Sequence, residues 1–448
     1  MRAQSELNTP IRASARDGVS ISKSTLVRRI CLAILLVSML LSRVAIPLGD
    51  KQIPISFFFG LCGLGLIAFI NRASLSATRL LAVGLVSAVI IAETVFVHRT
   101  SSILSVAYVI ALYAPLSLST GLDLRRDLPL LWKSLVSVMC LVSLLALTQL
   151  VGQLALGGMY LDPIDWVPEA WQMAGFNTAA PIFAGSIDTL KANGMVFLEP
   201  SVLSQFSALA ILGELVFFRR PSRLLLLGVG LICSFSGTGI LMLLGGLAFV
   251  SNIRMMAVVA VGLAMAGILV AVSGYGDAYL SRLDEVRRPG TSGHQRFVAP
   301  FIAMAKPWSV SNQLGLFGMG AGTAEASVEE LNLETNANYS PVPKATVEYG
   351  VVGLIAFLIL WFSMFSRAAL PRTLSVALLF FYFITSGAML QPFTVLPIWC
   401  LTLGFARRPS VRPAISDSVQ RLKLRRQARS NILTMPLGEQ ESGSPVLS

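Results

Sequence analysis

Residues 129–152 read PLLWKSLVSVMCLVSLLALTQLVG, twenty-four positions of which Lys133 alone carries a charge. A run of about 20 such residues is what an α-helix needs to cross a hydrocarbon core about 30 Å thick. The run is continuously apolar and does not alternate at period two, so it fits a helix and excludes a strand of a membrane barrel. Working outward in both directions, comparable runs occupy 30–48, 53–70, 77–97, 102–119, 200–218, 222–236, 238–252, 255–273, 346–366, 373–389 and 393–406. The expectation is an all-α, polytopic integral membrane protein of about twelve transmembrane helices.

With 54% hydrophobic and 13% charged residues among 448, the composition excludes a soluble globule, a disordered chain, collagen, a coiled coil and a secreted disulfide scaffold. Cys31, Cys62, Cys140, Cys233 and Cys400 all lie inside apolar runs, so neither a disulfide nor a zinc framework is implied. The net charge of +12 comes from bases scattered a few at a time between the runs. That is the pattern of orientation signals, and nucleic acid is not an expected partner.

Orientation follows the rule that lysine- and arginine-rich segments stay in the cytoplasm. Placing the N-terminus inside puts 25 of the 35 basic and 8 of the 23 acidic residues on the cytoplasmic side, leaving 10 basic and 15 acidic outside. The predicted organisation is a basic cytoplasmic segment over 1–29, helices one to five over 30–152, an extracytoplasmic loop over 153–199 and helices six to nine over 200–273. A large extracytoplasmic loop over 274–345, helices ten to twelve over 346–406 and a disordered basic cytoplasmic tail over 407–448 complete it. The junction 234-SFSGTG-239 leaves two options: two short spans, or one broken helix or re-entrant pair.

Bundles need only short connections, so the two long loops are where function is expected. In the second, RLDEVRRPGTSGHQRF gathers Arg282, Arg287, Arg288 and Arg296. Guanidinium forks grip phosphate oxygens in two places at once, which suits a lipid-linked diphosphate near the membrane plane. Salt bridging along one amphipathic helix is the simpler reading of Arg287 and Arg288. Downstream, LGLFGMGAGT places Gly318, Gly320 and Gly322 where backbone N–H groups can form an anion nest, without P-loop spacing. Lys344 and Glu348 then sit at the mouth of the tenth span. In the first loop, KANGMVFLEPSVLSQF puts Lys191, Glu199 and Gln205 at the mouth of the sixth, where Pro200 opens the helix and Glu199 meets its positive end as a cap or a functional carboxylate. Arg43 and Arg99 lie toward the outer side, where a second phosphate is within their reach; snorkelling is the alternative for Arg43. The only histidines, His98 and His294, have no metal-binding spacing, so no metal or cofactor is expected.

In this order, the motifs GMVFLEPSVLSQ, SGTG, GHQRF, GMGAGT and EYGVVGL resemble the O-antigen polymerase and ligase superfamily of bacterial envelopes, most closely an exopolysaccharide polymerase of the Wzy type. The motifs span roughly residues 190–366. The resemblance implies a GT-C-like glycosyltransferase of the bacterial inner membrane with both termini cytoplasmic. It implies transfer of a growing glycan from undecaprenyl diphosphate onto a lipid-linked oligosaccharide repeat unit at the periplasmic face. A polysaccharide copolymerase and a flippase are the implied partners besides the lipid bilayer. Residue by residue, Glu199, Arg296 and Glu348 match the catalytic positions and Gly318, Gly320 and Gly322 the turn. Arg282, Arg287, Arg288, Lys344, Lys191, Arg99 and Arg43 are the implied diphosphate ligands. Ligases of the superfamily carry a His-Asn pair before the last entry, whereas here 338–344 reads NYSPVPK. The polymerase reading is therefore preferred, with an O-antigen ligase or a lipid-linked oligosaccharide flippase as alternatives.

Overall fold

The computed structural model describes residues 15–49, 51–70, 73–96, 102–123, 126–155, 160–176, 178–182, 189–249, 286–289, 291–324, 339–365, 370–384 and 389–403. They form a mostly helical fold. Helices α1 (Ala15–Leu40), α2 (Ile55–Phe69), α3 (Ala77–Phe96), α4 (Ile103–Tyr113) and α5 (Asp127–Ala155) precede the first long loop. Helices α6 (Pro200–Phe217), α7 (Pro221–Cys233) and α8 (Gly237–Leu247) follow it. The second long loop holds α9 (Ser292–Phe297), α10 (Ala299–Val310) and α11 (Asn312–Phe317), and α12 (Pro341–Phe365), α13 (Arg372–Ile384) and α14 (Pro392–Ile398) come last. Among the described residues α3, α5, α6 and α12 are long and apolar enough to cross a membrane.

Eleven of the twelve predicted runs coincide wholly or in part with these helices, and the bounds of the first differ most. Helix α1 starts at Ala15, inside the segment expected to be a basic lead, and stops at Leu40 instead of 48. Beyond it Pro47, Gly49 and Pro54 favour a turn over a helix, and β1 (Ala45–Leu48) pairs antiparallel with β2 (Lys51–Pro54). A second ribbon, β3 (Ala73–Leu75) with β4 (Leu118–Leu122), ties the start of α3 to the residues after α4. The expected ninth span, Arg99, Arg282 and the tail from 407 lie outside the described residues.

The SFSGTG junction is a break between two helices, and α7 and α8, of 13 and 11 residues, are about 20 and 17 Å long at about 1.5 Å per residue. Irregular backbone at membrane depth must find its partners inside the protein. Here Ser204 of α6 supplies them, donating to the Ser236 carbonyl at 3.1 Å and accepting from the Gly239 amide at 3.0 Å. Thr238 also donates to the Ser201 carbonyl at 3.4 Å. The tip of the α7–α8 hairpin therefore rests against the first turns of α6, whose residues from Pro200 to Leu215 are all buried. Helix α6 is the central strut of the bundle.

The first long loop is pinned at both halves. Gln52 of β2 donates to the Gln172 carbonyl at 3.0 Å and accepts from the Ala174 amide at 2.8 Å, holding residues 172–174 on the first ribbon. At the end of α5, Gln153 pairs in both directions with the Leu190 backbone, and Gln149 accepts from the amides of Asn193 and Gly194. Satisfied buried amides of this kind fix one path for the chain. That path delivers Glu199 to the head of α6.

Candidate functional site between the two long loops

Glu199 occupies the N-cap position of α6, but its side chain does not cap the helix. The carboxylate instead accepts the Ser201 hydroxyl at 2.8 Å and the Arg296 guanidinium at 2.7 Å. Arg296 stands in the last turn of α9, a helix started by Thr291, whose hydroxyl accepts from the His294 amide. The two side chains are 12% and 10% exposed, respectively, so the pair is mostly withdrawn from water without being sealed. The expected carboxylate and the expected arginine thus meet although they are 97 positions apart. The Ser201, Ser204, Ser236 and Thr238 hydroxyls lie immediately below on the helix head and hairpin tip.

The second pair is internal to α12. Lys344 reaches Glu348 one turn on at 3.0 Å, and their side chains are 9% and 1% exposed. Glu348 also accepts from the Ala324 amide at 3.4 Å. Helix α12 is broken just beyond, at Gly350, whose φ of 60° and ψ of −164° suit glycine alone. The GMGAGT turn crosses the break: Met319 donates to the Val347 carbonyl and Gly320 to the Glu348 carbonyl, each at 2.8 Å. A Cβ on Gly318 would lie 2.4 Å from the Glu348 carbonyl carbon, and one on Gly350 would lie 2.2 Å from the Leu316 oxygen. These two glycines let loop and helix backbones touch. The nest expected at Gly318, Gly320 and Gly322 is corrected accordingly. The amides of Gly318, Met319 and Gly320 are bonded to protein carbonyls and are not presented to a ligand.

Ala303, Met319, Ala324, Tyr339 and Val347 form a small core of their own, which packs α10, the glycine turn and the head of α12 together. Arg296 links that piece to α6.

The remaining predicted ligands are distributed elsewhere. Arg43 is 4% exposed and grips Asp162 of the first loop with both prongs, at 2.6 and 2.8 Å. Its fork is occupied by the protein, which corrects its expected role as a free diphosphate ligand. Next to it the Tyr160 hydroxyl lies 3.3 Å from the Thr178 and Lys191 carbonyls, and burial with the Asp162 charge pushes its pKa well up. Lys191 is buried in the same loop. Arg287 and Arg288 lie exposed in the turn before α9, with the Arg288 carbonyl accepting the Thr291 hydroxyl. They stand on a turn that leads into Arg296, and the acids expected to pair with them along a helix, Asp284 and Glu285, lie outside the described residues.

One residue escapes the sequence reading. Glu93, on the face of α3 that packs against α12, is 4% exposed and neither carboxylate oxygen has a hydrogen-bond partner. Its Oε1 lies 3.8 Å from where a Cβ of Gly353 would be, a turn beyond Tyr349. The available signal was an acid within an apolar span, which marks function by default. No group of three or more His, Cys, Asp or Glu side chains that could hold a metal exists among the described residues.

A scan against protein-family models finds no match for this chain, and a search of curated proteins finds none either.

Proposed function

We propose that this chain is a polysaccharide polymerase, a lipid-diphosphate-dependent glycosyltransferase of about twelve spans, working at the periplasmic face of the bacterial inner membrane. The observation that carries the reading is the Arg296–Glu199 pair, which joins the two long loops at the head of the most deeply buried helix. A cation for a leaving diphosphate and a base for an incoming hydroxyl are the two groups that glycosyl transfer from a lipid diphosphate requires.

In this mechanism the diphosphate of the donor displaces Glu199 from Arg296, with Arg287 and Arg288 at the approach. The freed carboxylate takes the proton of the acceptor hydroxyl as its oxygen attacks the anomeric carbon. The bond from that carbon to the phosphate oxygen breaks, and undecaprenyl diphosphate leaves with its charge met by the arginines. Glu348 is the weaker candidate for base, because Lys344 and the Ala324 amide hold it inside the α12 break. Lys344 is correspondingly a partner of Glu348 before it is a ligand of substrate.

The test is complementation of a strain lacking the protein with Glu199→Gln or Arg296→Ala, each quantified in the membrane. Loss of long polymer by a factor of about 10² to 10³, with single lipid-linked repeat units accumulating at the periplasmic face, is expected. Undiminished polymer from either variant sinks the assignment. Repeat units trapped facing the cytoplasm identify a flippase, and long lipid-linked polymer that is not passed on identifies a ligase.

A further inference from the structure

At the end of the bundle opposite Glu199, the start of the membrane-embedded part of α1 meets the start of α5. A crevice of about 50 Å³ opens there, lined by Arg28, Arg29, Leu32, Leu130, Leu131 and Ser134. Its size suits a phosphate group and not a glycan. Arg28 makes one single-pronged contact inside it, Nη1 to Asp127 at 3.0 Å. Asp127, the negative group beneath, is 1% exposed and also accepts from the Asp123 amide. Arg29 is exposed and has no ion-pair partner among the described residues. Lys133 stands exposed on the same side of α5, three positions after Leu130. Two arginines thus line the crevice above one already engaged carboxylate, and Lys133 lies nearby in sequence on α5.

We propose that this crevice binds the phosphodiester of an anionic phospholipid, with an acyl chain lying along Leu130 and Leu32. Two features select that occupant. The positive charge lies on a surface of the bundle that also exposes large apolar side chains, including Leu26, Leu130 and Leu141. Basic pockets between helices at a membrane face recognise acidic headgroups, and each lysine or arginine near the surface adds about 1 kcal/mol of attraction. Leucines at the level below the arginines give the chains of the same molecule an apolar wall, which a soluble phosphate would not need. The lipid adds a tie between α1 and α5 beside the Arg28–Asp127 prong. By the charge rule this is the cytoplasmic leaflet, but the site itself needs only a leaflet of anionic lipid.

The experiment is native mass spectrometry of the detergent-purified full-length protein titrated with dioleoyl phosphatidylglycerol and, separately, dioleoyl phosphatidylethanolamine. Retention of phosphatidylglycerol about tenfold above phosphatidylethanolamine, falling severalfold in Arg29→Gln/Lys133→Gln but not in Arg372→Gln, is the expected result. An equal fall in Arg372→Gln means diffuse surface attraction and overturns the site. A photoactivatable phosphatidylglycerol tests the unaltered protein independently. Label on peptides from residues 23–40 and 127–135 supports the site, and label confined elsewhere overturns it. Millimolar glycerol phosphate is expected not to compete, and competition by it would assign the crevice to a soluble phosphate.

Discussion

Two arginine–carboxylate pairs fasten the first long loop to the rest of the protein, and they are built differently. Arg43 holds Asp162 with two nitrogens at 2.6 and 2.8 Å, both side chains 5% exposed. The Arg296 contact to Glu199 is single, at 2.7 Å, with about twice the exposure on each side. A bidentate, desolvated pair is rigid and costly to open, since parting it strands a charge in a medium that cannot solvate it. A pair that meets through one carboxylate oxygen and is less completely sealed costs less to open. From the residues alone both arginines were expected to meet phosphate, and what the fold puts opposite each of them distinguishes the two. The first pair is a staple between the end of α1 and the loop; the second is the contact that the donor diphosphate replaces in the proposed mechanism.

The sharpest way to break that comparison is to remove one carboxylate from each pair and measure thermal stability in a fixed detergent. Asp162→Ala leaves Arg43 buried without its partner, and a loss of about 3 to 5 kcal/mol is expected. Glu199→Ala is expected to cost less than Asp162→Ala, because the Arg296 side chain keeps more contact with water than that of Arg43. Equal losses would mean that both pairs are structural, and the exchange of Glu199 for phosphate would lose its physical basis. A second fastening gives a smaller effect. Gly350→Ala forces a side chain into a left-handed backbone against the Leu316 oxygen, at a cost of about 1 to 3 kcal/mol in strain. Because the glycine turn and α10 are packed on that break, polymer output should fall beyond what the lost protein accounts for. Unchanged activity per folded molecule would show that the loop need not be held at α12.

How far the residues themselves announced this arrangement depends on the range of the interaction. The apolar runs announced the helices, because a stretch of some twenty apolar residues has few other fates. Glu199 and Arg296 were each legible from local context, a helix head and a basic loop. Their meeting was not, since 97 intervening positions carry no pairing signal. The first ribbon was missed because the apolar run through Val44 and Ile46 outweighed Pro47 and Gly49, although turn residues end helices whatever their neighbours. The break at Gly350 was read as a smooth entry to a span. Its cause is tertiary, the backbone of the GMGAGT turn lying across it, and nothing within EYGVVGL reveals that contact.

Glu93 belongs to neither pair, and it sharpens the comparison from the other side. Arg43 and Asp162 answer each other's charge, and so do Arg296 and Glu199, whereas Glu93 is buried between α3 and α12 with both oxygens unanswered. A buried polar group without a hydrogen bond lowers stability, and replacing it by an apolar side chain of similar size recovers about 1 to 3 kcal/mol. Glu93→Leu is therefore expected to raise the melting temperature in detergent. Its position against Gly353, just beyond Glu348 and Tyr349, places it beside the break in α12 that the proposed mechanism uses. The expected companion result is reduced polymer from a more stable protein. Stability gained with full activity would make Glu93 a packing defect, and stability lost would mean that the carboxyl finds a partner in the working enzyme that the resting arrangement does not provide.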